Sequence, residues 1–139
     1  MKKLLLTILI ICFSFNISVA EIINFEKCSV EKYGYKFNSD VYEEYSFKID
    51  TIKKKVYTKI VFKDDFVKKK NKKYGENQQM KYLLMDYDIE YMDESFIKVS
   101  IKKSDISWEH IYDLNNKERQ STFNNKATNS TTINFVKCE

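Results

Sequence analysis

The chain has 139 residues, a formal net charge of +4 and a hydrophobic fraction of 43%, which suits one domain with a core of its own. After the N-terminal segment, no stretch is long and apolar enough to cross a membrane as a helix. The chain contains no proline, two glycines and an abundance of the residue types that AT-rich codons encode, lysine among them. Because codon bias alone enriches lysine, runs of lysine are weak indications of function in this sequence.

Residues 1–20 have the three parts of a secretory signal peptide. Two lysines precede an apolar run over residues 4–15, and the small side chains of Ser18 and Ala20 occupy the −3 and −1 positions. The sequence therefore predicts cleavage between Ala20 and Glu21.

A membrane anchor and a lipoprotein are the two alternatives for this segment. A spanning helix needs about 20 apolar residues, and Asn16 ends the run early. Lipidation at Cys12 requires a small residue before the cysteine, where this chain has Ile11. We therefore expect an exported protein, periplasmic or extracellular, whose mature domain comprises residues 21–139.

The mature chain contains two cysteines, Cys28 and Cys138, one near each end. Because exported proteins meet oxidising conditions, an even pair predicts a disulfide. The preceding sequences, INFEKC and INFVKC, match at five of six positions and are both typical of short strands. A redox pair is the alternative, but the sequence has no CxxC motif.

Alternation of apolar and polar residues predicts β-strands along most of the mature chain. Short strands are expected at 22–27 and 33–37, followed by a hairpin over 42–62 with its turn at 51–54. Residues 64–73 are the best helical candidate, since an aspartate pair can cap a short basic turn there.

The most regular alternation spans residues 80–102 and predicts a second hairpin with a three-residue turn. Its register places apolar pairs on one face and opposite charges on the other. The predicted partners are Tyr91–Ile97, Ile89–Val99, Tyr87–Ile101, Glu90–Lys98 and Asp86–Lys102.

A third hairpin is expected over 106–124, with its turn at 115–118, and a last strand is expected at 131–137. Together these segments predict an all-β fold after the signal peptide. We expect an antiparallel meander of about eight strands, forming a small barrel or a sandwich, closed by the terminal disulfide.

The order of features along the chain resembles that of the small uncharacterised exported β-rich proteins of AT-rich Gram-negative bacteria. The features are the signal peptide, the early cysteine, the segments YGYKF and IDTIKKKVYTKIV, and the final cysteine. The resemblance covers the whole chain and implies export and a β-rich fold. It implies no activity, cofactor or partner.

Catalytic and metal-binding motifs are absent from the sequence. No GxSxG motif is present, and His110 is the only histidine, so a multi-histidine metal site is excluded. Asp86, Asp88 and Glu90 alternate along one strand without the ligand loop of a calcium site. We therefore expect a non-enzymatic protein with no cofactor and no metal.

Two groups of side chains are candidate sites. The first is a pocket, since small barrels hold one apolar ligand, and the alternative is that these aromatic residues fill the core. The second is an anion-binding patch, and the alternative is a solvated loop. The pocket residues are Tyr87, Tyr91, Trp108, His110 and Tyr112, and the patch residues are Lys68, Lys69, Lys70, Lys72 and Lys73.

The favoured function is that of a non-catalytic binding module for an apolar or small ligand. The second candidate is a structural or protein-interaction module of the cell envelope, and the third is a small outer-membrane β-barrel. The expected partner is accordingly a small apolar ligand or an envelope protein, and export argues against nucleic acid.

Overall fold

Two antiparallel sheets pack face to face in the computed structural model, which describes residues 21–32, 35–37, 41–76 and 78–139. These residues contain eleven strands and one helix. The strands are β1 (Ile22–Phe25), β2 (Ser29–Lys32), β3 (Tyr35–Phe37), β4 (Tyr42–Asp50), β5 (Lys55–Phe62), β6 (Tyr82–Asp88), β7 (Tyr91–Met92), β8 (Phe96–Lys103), β9 (Ile106–Asp113), β10 (Glu118–Asn125) and β11 (Ser130–Lys137), and the helix is α1 (Asp64–Tyr74).

The four-stranded sheet has the order β1-β4-β5-β6, and the seven-stranded sheet has the order β3-β2-β11-β10-β9-β8-β7. The chain passes from one sheet to the other after β1, after β3 and after β6. These open sheets confirm the all-β antiparallel prediction and select the sandwich over the closed barrel. The described strands exceed the predicted eight in part because the short strands β2 and β7 were not predicted as separate strands.

The core lies between the sheets and is filled from alternate positions of each strand. Phe25 of β1, Phe47 of β4 and Tyr112 of β9 are all fully buried. Their rings meet edge to face, with centroids 5.4 to 6.5 Å apart, and thereby join the two sheets. The other buried apolar side chains are Tyr45, Ile49, Val56, Ile60, Val61, Ile97, Val99 and Val136.

Three hairpins have the same type of turn, although the chain has only two glycines. The last residue of the first strand is Asp50, Asp113 or Asn125, and its side-chain oxygen accepts a backbone N–H of the turn. Four residues later, Lys54, Lys117 and Asn129 adopt φ of about 50°. These Asx-capped turns allow the tight reversals that glycine usually supplies.

The disulfide joins Cys28 to Cys138 and confirms the predicted pairing. Cys28 lies between β1 and β2, where the chain crosses from the four-stranded to the seven-stranded sheet, and Cys138 follows β11. The two similar segments that end in cysteine do not pair with each other: β1 pairs with β4, and β11 pairs with β2 and β10. The bridge therefore closes a corner of the sandwich.

The predicted hairpin over 80–102 is wrong in its pairing. β6 pairs with β5 of the four-stranded sheet, and the chain then crosses to the other sheet, where β7 pairs with β8. Asp93 N donates to Phe96 O, so the turn is one residue shorter than predicted. Tyr91 accordingly lies opposite Lys98, and Asp86 bonds Lys55 rather than Lys102. Of the predicted pairs, Glu90 and Lys98 do form an ion pair, at 4.0 Å.

The predicted faces of β6 are nevertheless confirmed. Leu83, Met85 and Tyr87 are half-buried on the core side, whereas the residues between them are exposed. Alternation thus identified which side of the strand faces the core, although it did not identify the neighbouring strand.

Helix α1 connects β5 to β6 and confirms the helical prediction. The predicted aspartate cap is wrong, because Lys63 occupies the N-cap without a side-chain cap bond; Asp64 and Asp65 lie in the first turn, where carboxylates interact favourably with the helix dipole. The ring of Phe66 stacks on that of Phe62, and the amide of Asn71 bonds the backbone of Gln79. None of its residues is buried, so the helix lies on the surface of the sandwich. In the described part of the chain, no helix has the length and apolar character that a membrane span requires.

Candidate functional site

A cleft of about 330 Å³ opens between the two sheets. Such a volume lies at the lower end of the range for small-molecule sites. Apolar walls come from Met85, Ile101 and Trp108. The remaining lining residues are Tyr45, Tyr87, Lys103, His110 and Arg119, so the cleft contains two cations and, among the described residues, no acidic side chain.

Arg119 is the most unusual residue of this cleft. It lies on β10 opposite Tyr112, and its guanidinium carbon is 4.8 Å from the ring centroid of Phe47 and 5.8 Å from that of Tyr45. These distances permit cation–π attraction to both rings. Its Nε is buried and has no hydrogen-bond partner among the described residues. The described ion pairs do not include Arg119, so its charge has no carboxylate partner there.

His110 lies beside Arg119 and is held by Ser121 on the neighbouring strand. The two residues are directly opposite in the β9–β10 register, and His110 Nδ1 is 2.9 Å from Ser121 Oγ. Burial, with a smaller contribution from the Arg119 charge, lowers the pKa of His110 to about 4. The imidazole is therefore neutral at physiological pH and adds no charge to the cleft.

Ser121 and His110 resemble a nucleophile and base in their contact, but their placement differs from that of a catalytic pair. Ser121 is 7% exposed and is not part of the cleft lining. Among the described residues, no carboxylate bonds the other side of the ring. The serine hydroxyl therefore holds the orientation of the histidine ring and does not itself line the cleft.

Tyrosine hydroxyls surround the cleft and remain protonated. Burial raises the pKa of Tyr45 and Tyr87, and it raises that of Tyr112 to about 12. The hydroxyl of Tyr112 is buried without a hydrogen-bond partner in the described structure. The Arg119 guanidinium opposes part of this rise in pKa at Tyr45 and Tyr112, so these neutral hydroxyls interact with its charge but supply no negative counter-charge.

The structure brings together three of the five predicted pocket residues, namely Tyr87, Trp108 and His110. Tyr112 is instead fully buried in the core. Tyr91 is 54% exposed on the outside, where its hydroxyl donates to Asp93, because the chain has already crossed to the other sheet.

Sequence reasoning missed Arg119 as a member of the cleft. Two signals were present. Arg119 is the only arginine in a lysine-rich chain, and it is four residues from Phe123 on the same strand, so both side chains lie on the same face of the sheet. An arginine in an inward position is uncommon unless it has a partner or a role.

The lysines of the predicted anion-binding patch lie on helix α1. Lys68, Lys69, Lys72 and Lys73 are exposed, and Lys70 is partly covered. The ammonium groups of Lys70 and Lys73 lie 5.0 to 5.5 Å from the ring centroids of Phe66 and Tyr74.

The acidic residues considered for calcium are occupied by other partners. Lys55 binds both Asp86 and Asp88, at 2.8 and 3.1 Å, and Glu90 accepts from Ser100. Within the described ranges, no group of three or more His, Cys, Asp or Glu residues is arranged to hold a metal ion.

A larger concavity of about 680 Å³ lies on the outer face of the four-stranded sheet. Tyr57 and Leu84 are part of its lining, and its charged residues largely pair with one another or with neighbours. Lys59 contacts Glu44 at 2.7 Å, for example. Because its charges are satisfied and open to water, this surface has less capacity to select a small ion than the Arg119 cleft.

Comparison of the chain with family models, with curated proteins and with solved structures finds no match.

Proposed function

We propose that the chain is an exported, non-catalytic binding module whose cleft takes a small amphiphilic anion, an apolar body with one acid group. The observation that carries the proposal is the Arg119 guanidinium, which lies against aromatic rings with no carboxylate beside it in the described structure. The Cys28–Cys138 disulfide is compatible with an oxidising, exported location.

A ligand acid group would supply the partner that Arg119 lacks. A partly buried charge without a counter-ion is costly, because aromatic rings and neutral hydroxyls replace only part of the hydration that it loses. Arginine also presents a planar fork of donors that matches a carboxylate. The apolar body of the same ligand would lie against Met85, Ile101 and Trp108, which form the rest of the wall.

The position of Ser121, the serine that contacts His110, supports a role in binding rather than in catalysis. Ser121 Oγ is bonded to His110 and is not part of the cleft lining. The neutral imidazole is then available as a polar contact for the ligand rather than as a base for the serine.

Trp108 supplies a direct readout, because it is the only tryptophan of the chain and it lines the cleft. The experiment titrates the protein with decanoate and, as the uncharged match, with decanol, and follows tryptophan emission. We expect decanoate to change the emission in a saturable manner and decanol to bind at least about tenfold more weakly.

Variants at Arg119 test the role of the charge. Arg119→Met keeps the apolar bulk and should weaken decanoate by at least about tenfold while leaving decanol nearly unchanged. Arg119→Lys should retain part of the selectivity, and Lys126→Met, at an exposed turn, should change nothing. Equal losses for both ligands would mean that Arg119 only supports the fold, and a lack of saturable binding would refute the proposal.

The envelope-interaction module is the second candidate, and the outer face of β6 favours it. Tyr82 and Leu84 are 62% and 72% exposed on this strand, which is an edge of the four-stranded sheet in the described residues. A photo-crosslinking residue placed at Leu84 should form a discrete adduct in the producing cell. The same residue at Ile52, which is 68% exposed on a turn, should not. Identical patterns at both positions would exclude this candidate.

A further inference from the structure

Positive charge is concentrated on one element of this protein. Residues 63–73 contain six lysines and two aspartates, a local charge of +4, and the rest of the mature chain is slightly acidic. The described ion pairs include none of the α1 lysines at positions 68, 69, 70, 72 and 73. The carboxylate of Asp64 forms its ion pair with Lys81, at 2.8 Å, and interacts with Lys68 only at longer range.

The sandwich does not require this helix for its core. β5 and β6 are adjacent antiparallel strands, which a short turn can connect. Here they are joined by 19 intervening residues, and none of the helical ones is buried. A surface insertion that carries unpaired charge and contributes little burial is better explained by an external partner than by stability.

Exposed apolar side chains accompany the lysines. Tyr74 at the end of α1 is 58% exposed, and its ring lies next to the ammonium groups of Lys70 and Lys73. Met80 is 65% exposed and follows Gln79, whose backbone is held to the helix by Asn71. Lysines beside an aromatic ring and an aliphatic side chain are typical of surfaces that lie on the headgroup boundary of a membrane.

We propose that α1 and the adjoining residue Met80 form a docking surface for an anionic phospholipid membrane. The lysines would meet the lipid phosphates, and Tyr74 and Met80 would reach the boundary of the acyl region. The apolar side chains favour a lipid surface over a soluble polyanion, because a polyanion has no apolar region into which they can insert.

The test is co-sedimentation of the exported protein with vesicles of mixed phosphatidylglycerol and phosphatidylcholine, and with phosphatidylcholine alone. We expect binding to the anionic vesicles only, and weakening as salt is raised. Replacing Lys68, Lys69 and Lys72 by Gln should lower the partition coefficient by about 100-fold, since each lysine near such a surface contributes about fivefold. Glutamine sustains a helix nearly as well as lysine, and circular dichroism would verify that α1 persists.

A matched triple variant distinguishes a local surface from overall charge. Lys54, Lys117 and Lys126 are exposed at three separate turns, and their replacement by Gln removes the same charge. We expect this control to lower binding by less than about threefold. Equal losses in the two triple variants, or no binding to anionic vesicles, would overturn the proposal.

The apolar residues separate a membrane from a polyanion. Tyr74→Ser and Met80→Ser should each weaken vesicle binding while leaving any binding to dextran sulfate unchanged. If both variants bind vesicles as tightly as the unaltered protein, the helix recognises a polyanion and the membrane proposal is wrong.

Discussion

Protonation of His110 should destabilise the fold as the pH falls from about 7 to 5, mostly above the range in which ordinary carboxylates titrate. The folded pKa is about 4, below the value of 6.5 for a free imidazole. The unfolded chain therefore binds the proton more tightly between these values, and stability is complete above pH 6.5 and is lost as the pH falls towards 4. Linkage then gives a loss of about 2 kcal/mol between pH 7 and pH 5.

Urea melts at a series of pH values measure this loss directly. His110→Gln removes the titration and keeps a polar group beside Ser121, so its free energy of unfolding should vary by less than about 0.5 kcal/mol over the same range. The difference between the two proteins cancels the onset of carboxylate protonation. The imidazole resonances should titrate near pH 4 in the folded state. Parallel pH profiles for both proteins, or a titration midpoint near 6.5, would refute the assigned burial of the ring.

Three further predictions concern the core, the disulfide and the N-terminus. Ile49→Ala, at a fully buried position, should lower the free energy of unfolding by about 2–5 kcal/mol. Ile52→Ala, at a position that is 68% exposed, should lower it by less than about 0.5 kcal/mol. Similar losses for the two variants in urea melts would contradict the assigned burial. Replacing Cys28 and Cys138 together by Ser should cost about 4–5 kcal/mol on the chain-entropy model, and reductant should produce the same shift in the unaltered protein and none in the variant. Mass spectrometry of the exported product should place its N-terminus at Glu21, and a product that retains the signal segment would disprove cleavage.

Local sequence patterns predicted those hairpins whose strands are consecutive and whose turns carry their own chemistry. The β4–β5 register pairs Tyr45 with Ile60 and Ile49 with Val56, as alternation predicts. In the β9–β10 hairpin the inward faces are as predicted, but the turn lies at 114–117 rather than 115–118, so Leu114 lies in the turn and Trp108 pairs with Phe123. In both cases an aspartate caps the turn, so the reversal is determined by residues that are adjacent in the chain.

The candidate site was only partly predictable from the sequence, because its residues come from both sheets. Alternation placed Trp108 and His110 on the inward face but could not show what faces them. The contact of Arg119 with Tyr45 and Phe47 crosses the space between the sheets, and it follows from how the sheets pack.

The sequence by itself determined most of the strand faces, the helix, the approximate positions of two turns and the bonding of the two cysteines. The tertiary structure alone decided which strands are neighbours, that the chain changes sheets after β1, β3 and β6, and that an arginine lies in an aromatic cleft. The physical reason is that the alternation of apolar and polar residues specifies which side of a strand is buried but does not specify which strand pairs with it. β6 presents the same apolar face whether it pairs with β5 or with β8. Only the packing of the whole chain, in which β5 offers β6 seven paired residues, resolves that choice.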